Sequence, residues 1–162
     1  MLCNSIKRII TLVAMAVFVS QHTHAQIQIN ELLAVNSTIA HDPDFGEFSD
    51  FLELRNTATA PIDLSGYTLT DDPDETNKWM LPALTLAPGE LLLVWTDGLD
   101  KCPGDTAFVA YKNAVATMAA LHAGFRLSGD GEYLGLFSPQ GNPVDEVTYC
   151  TQANDVSYGR NT

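Results

Sequence analysis

From Ile27 to Tyr149 the chain is built of short apolar–polar alternations, each closed by turn residues. Side chains on a strand point to opposite faces in turn, so such a pattern builds half-buried strands. The runs are 27–32, 50–56, 67–70, 78–81, 91–95, 125–128, 133–137 and 144–149. In 50–56, Leu52 and Leu54 share one face, and Phe51, Glu53 and Arg55 share the other. Pro88-Gly89, 128–131 and 139–143 supply the turn chemistry between runs. About eight antiparallel strands with almost no helix must hide their apolar faces by stacking two sheets or closing a barrel. Periodicity is compatible with both. Leu91 to Trp95 is apolar on both faces, which predicts a central strand. Residues 98–124 break the rhythm. There 114–121 is rich in Ala and Met, which predicts one or two helical turns in an insertion over the sheet edge.

The first 25 residues have a different logic. Lys7 and Arg8 precede an uncharged apolar run, 9–19, and Thr23 and Ala25 are the small residues before a cut at Gln26. That order is a secretory signal peptide. The apolar run has 11 residues, whereas a spanning helix needs about 20. Cleavage near Ala25 leaves 26–162 as one secreted β domain, extracellular or at the cell surface, with no membrane span. Without Lys7 and Arg8 there are six basic against twenty acidic residues, a net charge of −14. A body this acidic repels nucleic acid and anionic lipid.

Export also bears on the cysteines. Cys102 and Cys150 are the two left after cleavage, and an oxidising compartment predicts a disulfide between them. Two free buried thiols are the alternative. The bridge would close a loop of 48 residues, a constraint worth about 4 kcal/mol in the chain-entropy model.

Several segments form an ordered set along the chain. These are Ile27-x-Ile29-Asn30-Glu31, then Gly46-Glu47 with Asp50-Phe51-Leu52-Glu53-Leu54-x-Asn56. Pro61-Ile62-Asp63-Leu64-Ser65-Gly66-Tyr67 with Leu69 and Asp71 follows, then Trp79, Pro82, Leu86 and Pro88-Gly89. Phe125-x-Leu127-Ser128, Gly131-Glu132, Leu134-x-Leu136, Gly141 and Val144-Asp145-x-Val147 complete the later strands. Asp155, Ser157 and Gly159-Arg160 close the set, and together these segments resemble the lamin-tail domain family in its bacterial secreted form. The resemblance implies an immunoglobulin-like β-sandwich. Residues 98–124 depart from its pattern. The chain also stops two residues after Gly159-Arg160, where the family continues, so a truncated piece of a longer protein is expected.

Most of these residues have structural roles. Asp63-Leu64-Ser65-Gly66 has the chemistry of a tight turn. Glu53 and Asn56 are placed to satisfy backbone groups beside the core leucines. Trp79 and Trp95 are expected in the core.

Catalytic signatures are missing. The mature chain has two histidines, His41 and His122, and no nucleophile elbow, zinc helix, phosphate loop or Cys-x-x-Cys pair. His122, inside the insertion, is expected to be a surface or packing residue. The one cofactor the residues suit is calcium. Asp42, Asp44, Glu47, Asp50 and Glu53 put carboxylates at positions 1, 3, 6, 9 and 12 of a twelve-residue stretch. That partly follows the spacing of an EF-hand loop, but Gly46 is one position early and Glu53 lies in a strand. A second cluster is Asp71, Asp72, Asp74 and Glu75. Solvated acidic turns would look the same.

The expected function is a non-catalytic extracellular binding or adhesion module, the N-terminal accessory domain of a larger secreted or surface protein. The resemblance implies this, since bacterial members stand beside hydrolase, nuclease or kinase-like domains. Its partner would be an extracellular protein, a carbohydrate or an adjacent domain of the same polypeptide, not nucleic acid. A purely structural spacer is the first alternative, and a small secreted hydrolase the second. Loops 36–49, 71–77 and 98–124 are the candidate contact surfaces.

Overall fold

The computed structural model describes residues 26–99 and 120–160, which form eleven strands and no α-helix. The signal segment, Cys102 and most of the expected helical turns lie outside the described residues. The strands are β1 (Ile27–Leu33), β2 (Phe51–Asn56), β3 (Ile62–Asp63), β4 (Thr68–Thr70), β5 (Trp79–Met80), β6 (Thr85–Leu86), β7 (Leu91–Trp95), β8 (Leu121–His122), β9 (Tyr133–Phe137), β10 (Pro143–Thr148) and β11 (Tyr158–Gly159). One sheet runs β11-β1-β2-β7-β8, a second runs β10-β9-β4-β5, and β3 pairs with β6 alone. Separate sheets make this the immunoglobulin-like sandwich that the resemblance implied, rather than a closed barrel.

The core follows from the alternation. β2 buries Leu52, Leu54 and Asn56 and leaves Phe51, Glu53 and Arg55 half-buried. Ile27, Ile29 and Leu32 of β1 and Val94 of β7 join Leu52 and Leu54 on the inner face of the first sheet, and Leu69, Trp79, Leu134 and Leu136 come from the second. Each fully buried leucine contributes about 1.5–3 kcal/mol by leaving water. Asn56 is wholly buried, and its amide donates to the carbonyls of Ala60 (3.0 Å) and Leu86 (2.8 Å) while Oδ1 accepts from Ala58 N (2.8 Å). It thereby satisfies backbone groups of the turn 57–61, as expected. Glu53 instead accepts from the Asn30 side chain at 2.6 Å. Ser65 N donates to Asp63 Oδ1 at 2.9 Å, the turn read from the sequence.

A bulge interrupts β1 between Ile29 and Glu31. Ile29 N donates to Asp145 Oδ2 (2.8 Å), and Ile29 O accepts from Arg160 Nε (3.0 Å). Arg160 Nη2 then donates to both Asp145 oxygens, at 2.7 and 2.8 Å. Residues 116 apart in the chain thus hold the two sheets together at one edge.

Four expectations are corrected. The short strands β3, β6, β8 and β11 are additional to the eight read from the sequence; pairs of residues carry too little period to be seen. Residues 125–128 are not a strand. They hold only a single bridge from Arg126 to Asp97, although Phe125 and Leu127 are buried. β7 lies inside its sheet between β2 and β8, as expected of a central strand, although Leu91 and Leu93 face outward and are exposed. The insertion does not extend to residue 124, because β8 pairs in parallel with β7 and Leu121 and Ala123 are core residues. That parallel pair is also the exception to the expected antiparallel strands. The alternation Leu121-x-Ala123-x-Phe125-x-Leu127 carried this signal, and the Ala-rich stretch before it obscured it.

Candidate functional site

The loop between β1 and β2 is long, polar and firmly held. Asn36 is buried; its amide donates to Ala40 O (2.6 Å) and Ser49 O (2.7 Å), and Oδ1 accepts from Ile39 N and Ala40 N, both at 3.2 Å. Asn36 N donates to Asp50 Oδ1 at 2.8 Å. Burial raises the Asp50 carboxyl above its usual range, opposed by that hydrogen bond and by the Arg126 charge. From the far end of the chain, Asp155 accepts from Ser37 N (2.6 Å), Thr38 N (2.9 Å) and Thr38 Oγ1 (2.7 Å). These bonds hold its carboxyl below the ordinary range. Asp155 sits at φ 60°, a left-handed conformation that Asp and Asn tolerate better than Ala. Asp155→Ala is therefore expected to speed limited proteolysis within 36–49 severalfold, with Asp155→Asn intermediate. Equal cleavage rates in all three proteins would show that Asp155 does not anchor the loop.

Within the loop, Asp42 N donates to Glu47 O (2.8 Å), Gly46 N to Asp42 O (3.0 Å), and Asp44 N to Asp42 Oδ1 (2.8 Å). This tight turn aims both aspartates inward, beneath the exposed residues around them. They meet His122 of β8 and Asp97, just past β7. His122 Nδ1 lies 2.7 Å from Asp97 Oδ2 and 3.8 Å from Asp42 Oδ2, and Nε2 lies 3.1 Å from Asp44 Oδ2. Asp44 Oδ2 also accepts from Ala120 N at 2.8 Å. Asp42 and His122 are both 0% exposed. The Phe45 ring packs edge-on to the imidazole, centroids 5.0 Å apart.

Only an imidazolium can donate from both ring nitrogens at once. Burial by itself pushes the His122 pKa down, but the bonds to Asp97 and Asp44 and the charges of Asp97 and Asp42 outweigh it, and the net direction is up. Burial raises the Asp42 carboxyl, offset in part by the Asp44 N–H and by His122. Even with a charged ring, three carboxylates face one cation. Asp42 Oδ2 and Asp44 Oδ1 are buried and have no hydrogen-bond donor among the described residues.

His122 is therefore a packing residue of an ionic cluster, not a surface residue. The sequence-derived calcium set is divided by the fold. Asp42 and Asp44 are brought together, Glu47 is exposed and uses its carbonyl in the turn, and Asp50 serves Asn36. Asp97 completes the cluster and was not singled out by spacing, because it is far from the others in sequence. Among the described residues, the group of three side chains with ligand atoms within 4.8 Å of one another is Asp42, Asp97 and His122. The second set stays a surface turn: Asp71 pairs with Lys78 at 2.5 Å, and Asp72 accepts from Asp74 N (2.9 Å) through Oδ1 and from Glu75 N (3.1 Å) through its carbonyl. Cys150 is exposed.

Beside the cluster lies a cleft of about 290 Å³, lined by Glu47, Phe48, Ser49, Asp50, Thr96, Asp97, Arg126 and Leu127. Asp97 belongs to both. The Phe48 ring is 44% exposed at the rim and packs edge-on against His41 at 5.3 Å. Ile39 and Phe45 are exposed on the same loop.

Residues 20–151 match the family described as Lamin Tail Domain. No curated protein matches the chain. Among solved structures it is similar to a DUF4876 family protein from Bacteroides thetaiotaomicron, with 15% identity and a TM-score of 0.37, over 70% of this chain and 42% of that one. The chain thus spans less than half the length of that protein.

Proposed function

The chain belongs to the Lamin Tail Domain family, and on that premise we propose that it is a non-catalytic recognition module of a secreted or surface protein. Residues 1–25 would direct export and be cut near Ala25, and Cys102 and Cys150 would pair outside the cell. The observation that carries the proposal is the β1–β2 loop: its backbone is held rigidly, yet it presents apolar side chains beside a polar cleft. A preorganised loop loses less entropy on binding than a mobile one. His122 is enclosed with both ring nitrogens facing carboxylates, which fits a structural place in the loop's anchor.

The ligand class that fits best is carbohydrate. Glu47 and Asp50 offer acceptors, Arg126 offers a planar set of donors, and Phe48 offers an exposed ring. Sugar hydroxyls need both acceptors and donors, and the apolar face of a sugar packs on an aromatic ring. A net charge of −14 on the mature chain disfavours nucleic acid and anionic membranes. The purified domain is expected to bind a subset of immobilised neutral polysaccharides, with Phe48→Ala and Arg126→Ala each weakening that binding about tenfold, or about 1.4 kcal/mol. Binding unaffected by both variants would remove the cleft from the proposal. No binding to any glycan, together with capture of a neighbouring domain of the full-length protein, would favour the spacer reading.

A further inference from the structure

We propose that Asp42, Asp97 and His122 form a binding site for a first-row transition-metal dication, which ties the β1–β2 loop to the ends of β7 and β8. Three observations converge on it. The ligand atoms lie within 4.8 Å of one another, in a buried setting where Asp42 and His122 are 0% exposed and Asp97 9%. Asp42 Oδ2 faces His122 Nδ1 at 3.8 Å with no hydrogen-bond donor of its own among the described residues. A buried carboxylate oxygen without a partner is costly, and a cation is the direct remedy. Finally, the other ring nitrogen is already held. Nε2 lies 3.1 Å from Asp44 Oδ2, which is itself fixed by Ala120 N at 2.8 Å. A carboxylate on the far nitrogen of a histidine sets its tautomer and makes the near nitrogen a better ligand. With Nε2–H donating to Asp44, an ion that displaced the Nδ1 proton would meet the Nδ1 lone pair together with Asp42 and Asp97.

The donor set selects the class of ion. One imidazole nitrogen and two carboxylates suit Zn²⁺, Mn²⁺ or a similar ion, whereas calcium takes six to eight oxygens and no imidazole. Binding would exchange the proton on Nδ1 for a dication, and the enclosed net negative charge would fall by one. The Phe45 ring packs edge-on against the enclosed imidazole, centroids 5.0 Å apart. The ion would be structural: its ligands come from residues 42, 97 and 122, and the loop that carries the cleft hangs on the first of them.

The test is thermal melting and calorimetric titration of the metal-stripped mature chain with Zn²⁺ and, in parallel, Ca²⁺. One equivalent of Zn²⁺ is expected to bind, raising the midpoint by about 5–10 °C at a hundredfold excess over Kd. Ca²⁺ at the same concentration is expected to leave the midpoint unchanged. Asp42→Asn keeps the acceptor that Asp44 N uses and should fold, but it should lose the Zn²⁺-dependent shift. Asp97→Asn should behave alike. Cobalt substitution distinguishes the ligands, because a thiolate charge-transfer band would place the metal on cysteine and overturn the assignment. No zinc-dependent shift would also overturn it, as would a full shift in Asp42→Asn. A response to Ca²⁺ alone would replace transition-metal chemistry with a hard-cation site.

Discussion

His122→Ala is expected to destabilise the metal-free domain by about 3–5 kcal/mol, the cost of removing one partner from a buried charge cluster. The ring stands between Asp97 at 2.7 Å and Asp44 at 3.1 Å, with Asp42 behind it at 3.8 Å. Alanine would leave three enclosed carboxylates without a facing cation, and their mutual repulsion would add to the cavity. For a domain of this length, such a loss lowers the melting midpoint by roughly 10–15 °C. Chelator must be present throughout, so that the ring's own contribution is separated from any ion's. A double-mutant cycle sharpens the expectation. Asp44→Asn removes one of the stranded charges, so His122→Ala should cost less in the Asp44→Asn background than in the wild type. A loss below 1 kcal/mol, or strict additivity in the cycle, would show that the carboxylates are relieved in some other way.

The second large effect is steric. Gly131→Ala is expected to cost about 2–4 kcal/mol, from backbone strain and overpacking together. Gly131 has φ +96°, and a β-carbon there would stand 2.6 Å from Tyr149 O, 2.7 Å from Cys150 C and 2.9 Å from Cys150 Cα. All three are main-chain atoms, so no side-chain rotation relieves the clash. The neighbourhood is also pinned: Tyr149 N donates to Glu132 O at 3.0 Å, and Gln152 N donates to Gly129 O at 2.8 Å. Gly141→Ala is the matched control. It too has a positive φ, +76°, but nothing lies within 4 Å of the place its β-carbon would take. Only the conformational term remains there, about 1–2 kcal/mol. Urea denaturation of the two variants isolates the contact term; equal midpoints would mean that 149–150 yields to the added methyl group.

Gly131 also marks what could be read from the amino-acid order. It was legible as a turn residue, because Ser-Gly-Asp-Gly between two alternating runs is local information. That the glycine must lack a β-carbon was not legible, because the atoms it would strike belong to residues 149 and 150. The same division holds for β1. Its strand character follows from Ile27-x-Ile29, but its bulge is held by Asp145 and Arg160, more than a hundred residues away.

The site separates the two kinds of information further. Spacing placed Asp42, Asp44, Glu47 and Asp50 on one imagined loop, as if consecutive carboxylates had to face one ion. In the folded chain a turn closed by Asp42 N and Glu47 O sends the first two inward and leaves Glu47 outside. Their partners are Asp97 and His122, and His122 was obscured by the Ala- and Met-rich stretch before it.

By itself, the amino-acid sequence determined the all-β class, most of the main strands, the inward face of β2, the turns and the family. Each depends on periods of two residues or on short turn chemistry, which neighbouring residues set through backbone sterics. Only the tertiary structure decided that β8 would pair in parallel with β7, that the β1–β2 loop would fold over it, and that Asp42, Asp44, Asp97 and His122 would share one buried volume. Alternation encodes which face of a strand is apolar. It does not encode which distant loop covers that face, because that choice is made by packing and by the pairing of buried charges across the whole fold.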